Sequence, residues 1–414
     1  MQKKLIALAV AGLLSAPAFA QSNVTIYGTV DYGFTSLGSH AVPYTYSYDA
    51  QNDMILANPG TRPKARSGID SGISKNNRLG FRGSEDLGNG LKAVFVLETG
   101  LQGDGQHDHG LFNGVTRQAY AGLAGGFGTV AFGRQYTPQH LFTAAVDPFG
   151  KQGLGNAGNI MMQDTRLSNL VAYISPNWGG FSFVAGWTWN GGTAGNGMPD
   201  WVGYFLLPGA TVPVGGQNEA VANDGDVQVW AIAPSFTWNN LFVGVNYHQA
   251  KVNSNPGSSF KAVNVWDLMA SYDFGFVKVG GVFGQRKSNA AAYNRLVGVN
   301  DDVKTRQWML GATFRITPND SILTSYTRVQ EDGLIDDVKS RIGQWAIGYE
   351  HALSKRTVLY SQFAKQSWNN DAETWRFHSI QTDSTIGGVG VRQLTGGGAA
   401  PYKRGFAVGF RHDF

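Results

Sequence analysis

Cysteine is absent from the 414 residues. That excludes a disulfide framework, thiol catalysis and cysteine-type zinc sites. Charge is sparse and nearly balanced, with 33 Lys+Arg against 29 Asp+Glu. Two of the lysines, Lys3 and Lys4, sit in a removable leader, so the remainder carries a formal 31 − 29 = +2. Such a balance gives no case for nucleic-acid binding. Past residue 20 no apolar run is long enough for a transmembrane helix. Prolines are few beside 56 glycines, and no collagen period appears. Glycine at that level suits many turns, loops and closely packed strands.

The start of the chain reads as an address. Lys3 and Lys4 precede the ten-residue apolar stretch Leu5–Leu14, and Ala18-Phe19-Ala20 fits the small-x-small cleavage rule. The stretch is too short for the ~20 residues of a membrane anchor. Residues 1–20 are therefore expected to be a cleaved signal peptide, and residues 21–414 a single exported domain. Length alone would suggest two or three domains; one large closed barrel uses the whole chain once.

What the chain has instead of apolar runs is alternation. Val24, Ile26, Gly28, Val30, Tyr32 and Phe34 are apolar or small, with Thr25, Tyr27, Thr29 and Asp31 between them. Leu91, Ala93, Phe95 and Leu97 alternate with Lys92 and Glu98; Trp308, Leu310, Ala312, Phe314 and Ile316 alternate with Gln307, Thr313 and Arg315. Phe406, Val408, Phe410 and Phe414 repeat the pattern at the end. Each such strand has one apolar and one polar face.

A soluble sandwich also alternates. Two features favour a membrane barrel. The segments are about 9–12 residues, the length a tilted strand needs to cross a bilayer. The connections also alternate short and long. Tight turns are expected at residues 86–90, 124–128, 176–180, 238–240, 273–275, 317–320 and 353–355. Long loops are expected at about 35–75, 102–114, 136–166, 190–225, 251–261, 287–304, 330–340 and 366–403. Together they predict an all-β fold, an antiparallel transmembrane β-barrel of about sixteen strands. Hydrocarbon offers no partner to a free backbone group, so the first and last strands must pair. Trp178, Phe181, Trp238, Phe274, Phe276, Tyr349 and Tyr360 lie near the turns and would form an interfacial girdle.

Several blocks resemble betaproteobacterial and neisserial general-diffusion porins of Gram-negative bacteria. They are Val24-Thr25-Ile26-Tyr27-Gly28-Thr29-Val30-Asp31-Tyr32-Gly33, the run from Arg78-Leu79-Gly80-Phe81-Arg82-Gly83 to Ala93, and Arg117-Gln118-Ala119-Tyr120-Ala121-Gly122-Leu123. Phe127 to Val130, Gly133-Arg134-Gln135, Tyr349 to Tyr360 and Gly409-Phe410-Arg411-His412-Asp413-Phe414 continue the likeness in order. The resemblance implies a sixteen-stranded barrel in the bacterial outer membrane, assembled as a homotrimer. It implies that the third long loop folds inward as a constriction. It also implies that terminal Phe414 is an assembly signal read by the barrel assembly machinery.

A passive pore needs water, a narrow zone and fixed charge rather than a nucleophile or a cofactor. In the third loop, Asp147-Pro148-Phe149-Gly150 stands where the family commonly has Pro-Glu-Phe-Gly; here the acid precedes the proline. Asp147 is the leading constriction acid, with Asp164 a second choice. Alternation gives Arg78, Gly80 and Arg82 one lumen face, and Lys92 points the same way. The resemblance adds Arg134, although strict alternation groups it with outward Val130 and Phe132. Wall bases outnumber the loop acids, so a mild anion preference is expected. Leu170, Ala172 and Ile174 occupy positions expected to be more polar, which implies either a less charged lumen there or a register slip. The first long loop is long for the family and carries alternating Tyr44, Tyr46 and Tyr48.

Other motifs carry less. Gly153-Leu154-Gly155-Asn156-Ala157-Gly158 satisfies G-x-G-x-x-G without the strand and helix that a dinucleotide site needs. His107-Asp108-His109 reads as a polar loop tip and Asp301-Asp302 as a solvated acidic loop. The competing functions are a substrate-specific channel or receptor, a barrel enzyme and a soluble exported binding protein. No Ser/His/Asp or paired-carboxylate constellation assembles from this sequence. The expected partners are a second and third copy, membrane lipid, and small hydrophilic solutes and ions.

Overall fold

A computed structural model describes residues 23–38, 44–49, 54–59, 65–101, 112–150, 153–161, 166–188, 227–252, 260–290, 303–332, 339–369 and 403–414. The expected signal peptide, Asp164, His107–His109 and Asp301–Asp302 lie outside the described residues. The strands are β1 (Asn23–Leu37), β2 (Tyr44–Asp49), β3 (Met54–Pro59), β4 (Arg66–Ser71), β5 (Arg78–Gly88), β6 (Leu91–Leu101), β7 (Phe112–Gly125) and β8 (Gly128–Tyr136). After a helix come β9 (Arg166–Ile174), β10 (Phe181–Thr188), β11 (Val227–Trp238), β12 (Leu241–Val252), β13 (Phe260–Asp273) and β14 (Val277–Ala290). The last five are β15 (Val303–Arg315), β16 (Asp320–Asp332), β17 (Lys339–Ala352), β18 (Thr357–Trp368) and β19 (Arg404–Asp413).

All but β2 and β3 join one antiparallel sheet that returns on itself. β1 pairs with β19 from Thr29↔Asp413 to Leu37↔Gly405. Its other edge pairs with β5 from Asn23↔Ser84 to Thr29↔Arg78, and higher up with β4 from Tyr32↔Ser71 to Leu37↔Arg66. β4 and β5 thus share one place in the wall, and the ring has sixteen places. The closure is bonded to its last residue: Gly28 and Phe414 exchange two N–H···O bonds of 3.1 Å. Every edge is consumed, as hydrocarbon requires.

All seven expected tight turns connect successive strands. Asn89 and Asn239 sit in two of them with φ of 52° and 49°, the left-handed region that asparagine tolerates. The apolar rows face outward: Ile26 is 59% exposed and Leu310 57%. The alternate residues Thr29, Asp31, Gln307 and Gln344 are buried inside. Some strands exceed the expected length. β13, β14 and β17 each have 14 residues, roughly 45 Å of chain. Their loop-side ends must pass beyond the hydrocarbon core, which a strand of 9–11 residues already spans.

Two expectations need correction. Part of the first long loop is wall: β4 pairs with β1, and Thr35 Oγ1 donates to Asp70. Its short polar stretch, Ser67-Gly68-Ile69-Asp70-Ser71, carries too little apolar periodicity to announce a strand. Tyr360 does not join the girdle. It points inward, is 2% exposed, and its hydroxyl donates to Asp31 at 2.5 Å. The other six girdle residues are exposed, from Tyr349 at 43% to Phe276 at 69%. Asp31 also accepts from the N–H groups of Ser74 and Lys75 at 2.9 and 2.7 Å. The carboxylate thereby pins the link between β4 and β5 against β1.

Tyr360→Phe leaves that buried carboxylate one donor short. The variant should lose about 1–3 kcal/mol, read as a lower urea midpoint in detergent. An unchanged midpoint would contradict the anchoring role.

Candidate functional site

The third loop turns into the barrel. Its helix, α1 (Pro138–Val146), begins where Thr137 Oγ1 caps the N–H of His140 at 3.1 Å and Pro138 fixes the first turn. Gln139, Phe142, Thr143 and Val146 recur at helical spacing and form its buried face. That face lies on β12, β13 and β14. Phe142 meets Phe242 edge-on at 5.6 Å, and Gln139 Nε2 donates to Asp267 Oδ2 at 2.6 Å. Gln307 Nε2 holds the other oxygen of Asp267 at 3.0 Å. Lys278 Nζ donates to the carbonyl of Ala145 at 2.6 Å.

Beyond the helix the loop follows the wall toward β19. Gln344 Nε2 donates to the Asn156 carbonyl at 2.9 Å, and Gln362 Oε1 accepts from the Leu154 N–H at 2.9 Å. The sheet makes room for it with a row of small inward residues in direct register: Gly280, Gly311, Ser325, Ala346, Ala364 and Gly405. A Cβ on Gly280 would stand 2.1 Å from the Val146 carbonyl oxygen, and one on Gly311 2.6 Å from Pro148. The six residues therefore form the seat of the loop. The G-x-G-x-x-G stretch is part of this packed segment: a Cβ on Gly155 would meet the Phe149 ring at 2.5 Å.

The other half of the ring carries a basic cluster. Glu98 on β6 accepts from Arg117 Nε at 2.7 Å and from the Tyr27 hydroxyl at 3.0 Å. Arg78 Nη1 lies 3.9 Å from the same carboxylate. Arg117 Nη2 donates to the Tyr136 hydroxyl at 2.6 Å; Arg166 lies 5.6 Å from the Tyr136 ring, and His140 stacks on that ring at 4.5 Å. Two guanidiniums thus share one carboxylate, and a third lies beside Tyr136. Arg78 Nη2 and Arg166 Nε and Nη1 have no protein acceptor.

A profile of the Gram-negative porin family matches residues 7–371. The chain is a Gram-negative porin. It is 29% identical to the outer membrane porin protein 32 of Delftia acidovorans, with both chains covered in full. It is 28% identical to an outer membrane porin protein of Bordetella pertussis, covering 95% of this chain and 99% of the relative. A major outer membrane protein P.IB of Neisseria gonorrhoeae is 35% identical over 44% of the chain. The fold is similar to a solved anion-selective porin from Comamonas acidovorans, with a TM-score of 0.65 at 24% identity over 95% of this chain and all of that one. These relatives and the closed barrel place the porin in the bacterial outer membrane.

The wall bases expected from the porin's sequence occupy several heights. Arg78 belongs to the Glu98 cluster. Arg82 lies exposed over the Tyr27 ring at 5.3 Å. Lys92 stands opposite Asp86 in the register at the turn end. Arg134 follows the bulge at Gly133, donating to the Thr116 carbonyl and Ser168 Oγ, both at 2.8 Å. Asp147 is 5% exposed, and its oxygens accept from the N–H groups of Phe149 and Ala157 at 3.0 Å each. It therefore ties the loop to itself. Arg117, Glu98 and Arg166 escaped the sequence reading as site residues. Only the charge of Glu98 and Arg117 inside alternating strands hinted at them. Leu170 and Ala172 point inward as the alternation requires and join a buried apolar cluster with Val229, Ala250, Val263 and Val265. The lumen is less charged at that place.

Gly280→Val should push the end of α1 off its seat and into the water path, lowering single-channel conductance. Gly281→Ala, on the outward face of the same strand, should leave it unchanged. Equal conductance in the two variants would contradict the seating.

Proposed function

We propose that this porin is a homotrimeric general-diffusion channel for small hydrophilic solutes and ions, with a mild preference for anions. The observation that carries the preference is the basic cluster in which Arg78 and Arg117 share Glu98 and Arg166 lies beside Tyr136. In a narrow water-filled passage, fixed charge of one sign enriches counter-ions and repels co-ions. Arg82 and Lys92 extend the positive wall toward the turn end, and Arg134 adds charge near the loop end. Asp147 enters as the acid that shapes the loop across from them. The Comamonas porin of similar fold is named anion-selective, which agrees.

The trimer reading rests on an asymmetry of the outer face. β5, β6, β8, β9 and β10 have 8 to 11 residues, whereas most strands from β11 to β18 have 12 to 14. The shorter side presents small outward residues such as Gly28, Ala93, Ala119 and Ala121, suited to close packing against another copy. A Vibrio cholerae outer-membrane barrel of similar fold has been solved in trimer form. Removal of residues 1–20 during export and reading of Phe414 by the assembly machinery complete the proposal. No cofactor enters this activity, and the family's members are channels rather than enzymes.

Reversal potentials in a salt gradient test the central point. The native protein should favour anions, Arg82→Glu should reduce the preference, and higher salt should weaken it as the screening length falls below ~8 Å. Clear cation selectivity of the native protein would overturn the reading. Conductance should rise in groups of three steps; uniformly single steps would count against the trimer.

A further inference from the structure

Between β4 and β5 the chain leaves the wall. Gly72, at a φ of 69°, starts the turn, and residues 72–77 form an elbow on the lumen side of β1. Its polar groups are bonded to the wall. The Gly72 N–H donates to the Asp31 carbonyl at 2.8 Å, and those of Ser74 and Lys75 donate to the Asp31 carboxylate. Asn77 Oδ1 accepts from the Asp31 N–H at 2.6 Å, and the Asn77 carbonyl accepts from the Leu101 N–H at 3.0 Å. Arg411 Nη1 donates to Ser74 Oγ at 2.7 Å. An inward segment satisfied in this way holds one position beside the passage.

The elbow has one apolar side chain, Ile73, which is 1% exposed. An isoleucine on the lumen side of a wet barrel leaves water only under another inward element. Ile73 joins a single buried cluster with Phe149 and Leu154 of the third loop; the other members belong to strands of the wall. Both elements also meet the closure seam. A Cβ on Gly33 of β1 would stand 3.0 Å from Ile73 Cδ1, and one on Gly405 of β19 would stand 3.1 Å from Leu154 Cδ2. β1 and β19 pair with each other at these heights, Gly33 with Gly409 and Leu37 with Gly405.

We infer that residues 72–77 are a second seat of the third loop, and that Ile73 is the positioning residue that keeps the loop's far end at the closure seam and the passage open at one width. The inference rests on the reading of the protein as a diffusion channel. It assigns part of the hold on the constriction to the segment that follows the first long loop.

Single-channel recording of the full-length protein in a planar bilayer tests it with three variants. Ile73→Ala should close at least about tenfold more often than the native channel, because a buried isoleucine cut to alanine leaves a cavity and frees what packed there. Ile73→Val keeps most of the side chain and should restore long openings. Leu170→Ala removes a buried aliphatic side chain from an inward cluster that holds no described residue of the loop segment 137–161. It should open as the native channel does, which separates loss of the seat from loss of stability. Ile73→Ala channels as steady as the native ones, or closures equally frequent in Leu170→Ala, would overturn the inference. A native protein that conducts nothing would overturn the channel reading and the inference with it. Should Ile73→Ala fail to fold, hydrogen exchange of the native protein in rising urea decides. The amides of Ser74 and Lys75 and those of Leu154 and Ala157 should lose protection together. Loss in one pair while the other keeps its protection would equally overturn the inference.

Discussion

A backbone N–H or C=O in hydrocarbon must find its partner within the protein, and this single constraint organises the molecule. It forces β1 to serve two edges. Its outer half pairs with β4 on one side, its inner half with β5, and β19 runs along the other side to the last residue. The bond between Gly28 and Phe414 leaves no open end at the closure. Once the wall is closed, alternation has only one meaning. Every second side chain meets lipid and the others enclose an interior that must be filled or wet.

The interior is filled on one half and charged on the other. Along β12–β19, small inward residues seat the third loop, and Lys278, Ser325, Gln344 and Gln362 bond its backbone. Along β1 and β5–β9, arginines gather around a single carboxylate. The wall thus holds the loop by packing and by hydrogen bonds. Its apolar residues Phe142, Val146, Phe149, Leu154 and Ile160 are buried against the wall rather than exposed to water. The same sheet therefore provides both the obstacle and the field beside it.

Much of this was legible in the sequence. Period-2 alternation fixed which residues face lipid, because a one-residue slip would expose every polar side chain to hydrocarbon. Turn residues located all seven tight connections. β4 was not legible, since a short polar strand that pairs only with the top of β1 carries little apolar signal. For Tyr360 parity decides against proximity to a turn: it shares the inward row with Gln362 and Ala364. The site was less legible than the wall. Arg117 and Glu98 meet across 19 residues of sequence, and Arg166 joins them through Tyr136. The seat of the loop depends on six residues from six strands, each unremarkable in its own segment.

A closed wall with a seated third loop requires a continuous but narrowed column of water through the protein. Swelling of liposomes carrying the purified protein, in solutions of sugars of graded size, measures that column. Small sugars should enter quickly, and the rate should fall steeply as solute size approaches the width left by the loop. Liposomes that fail to swell in even the smallest sugar would contradict it.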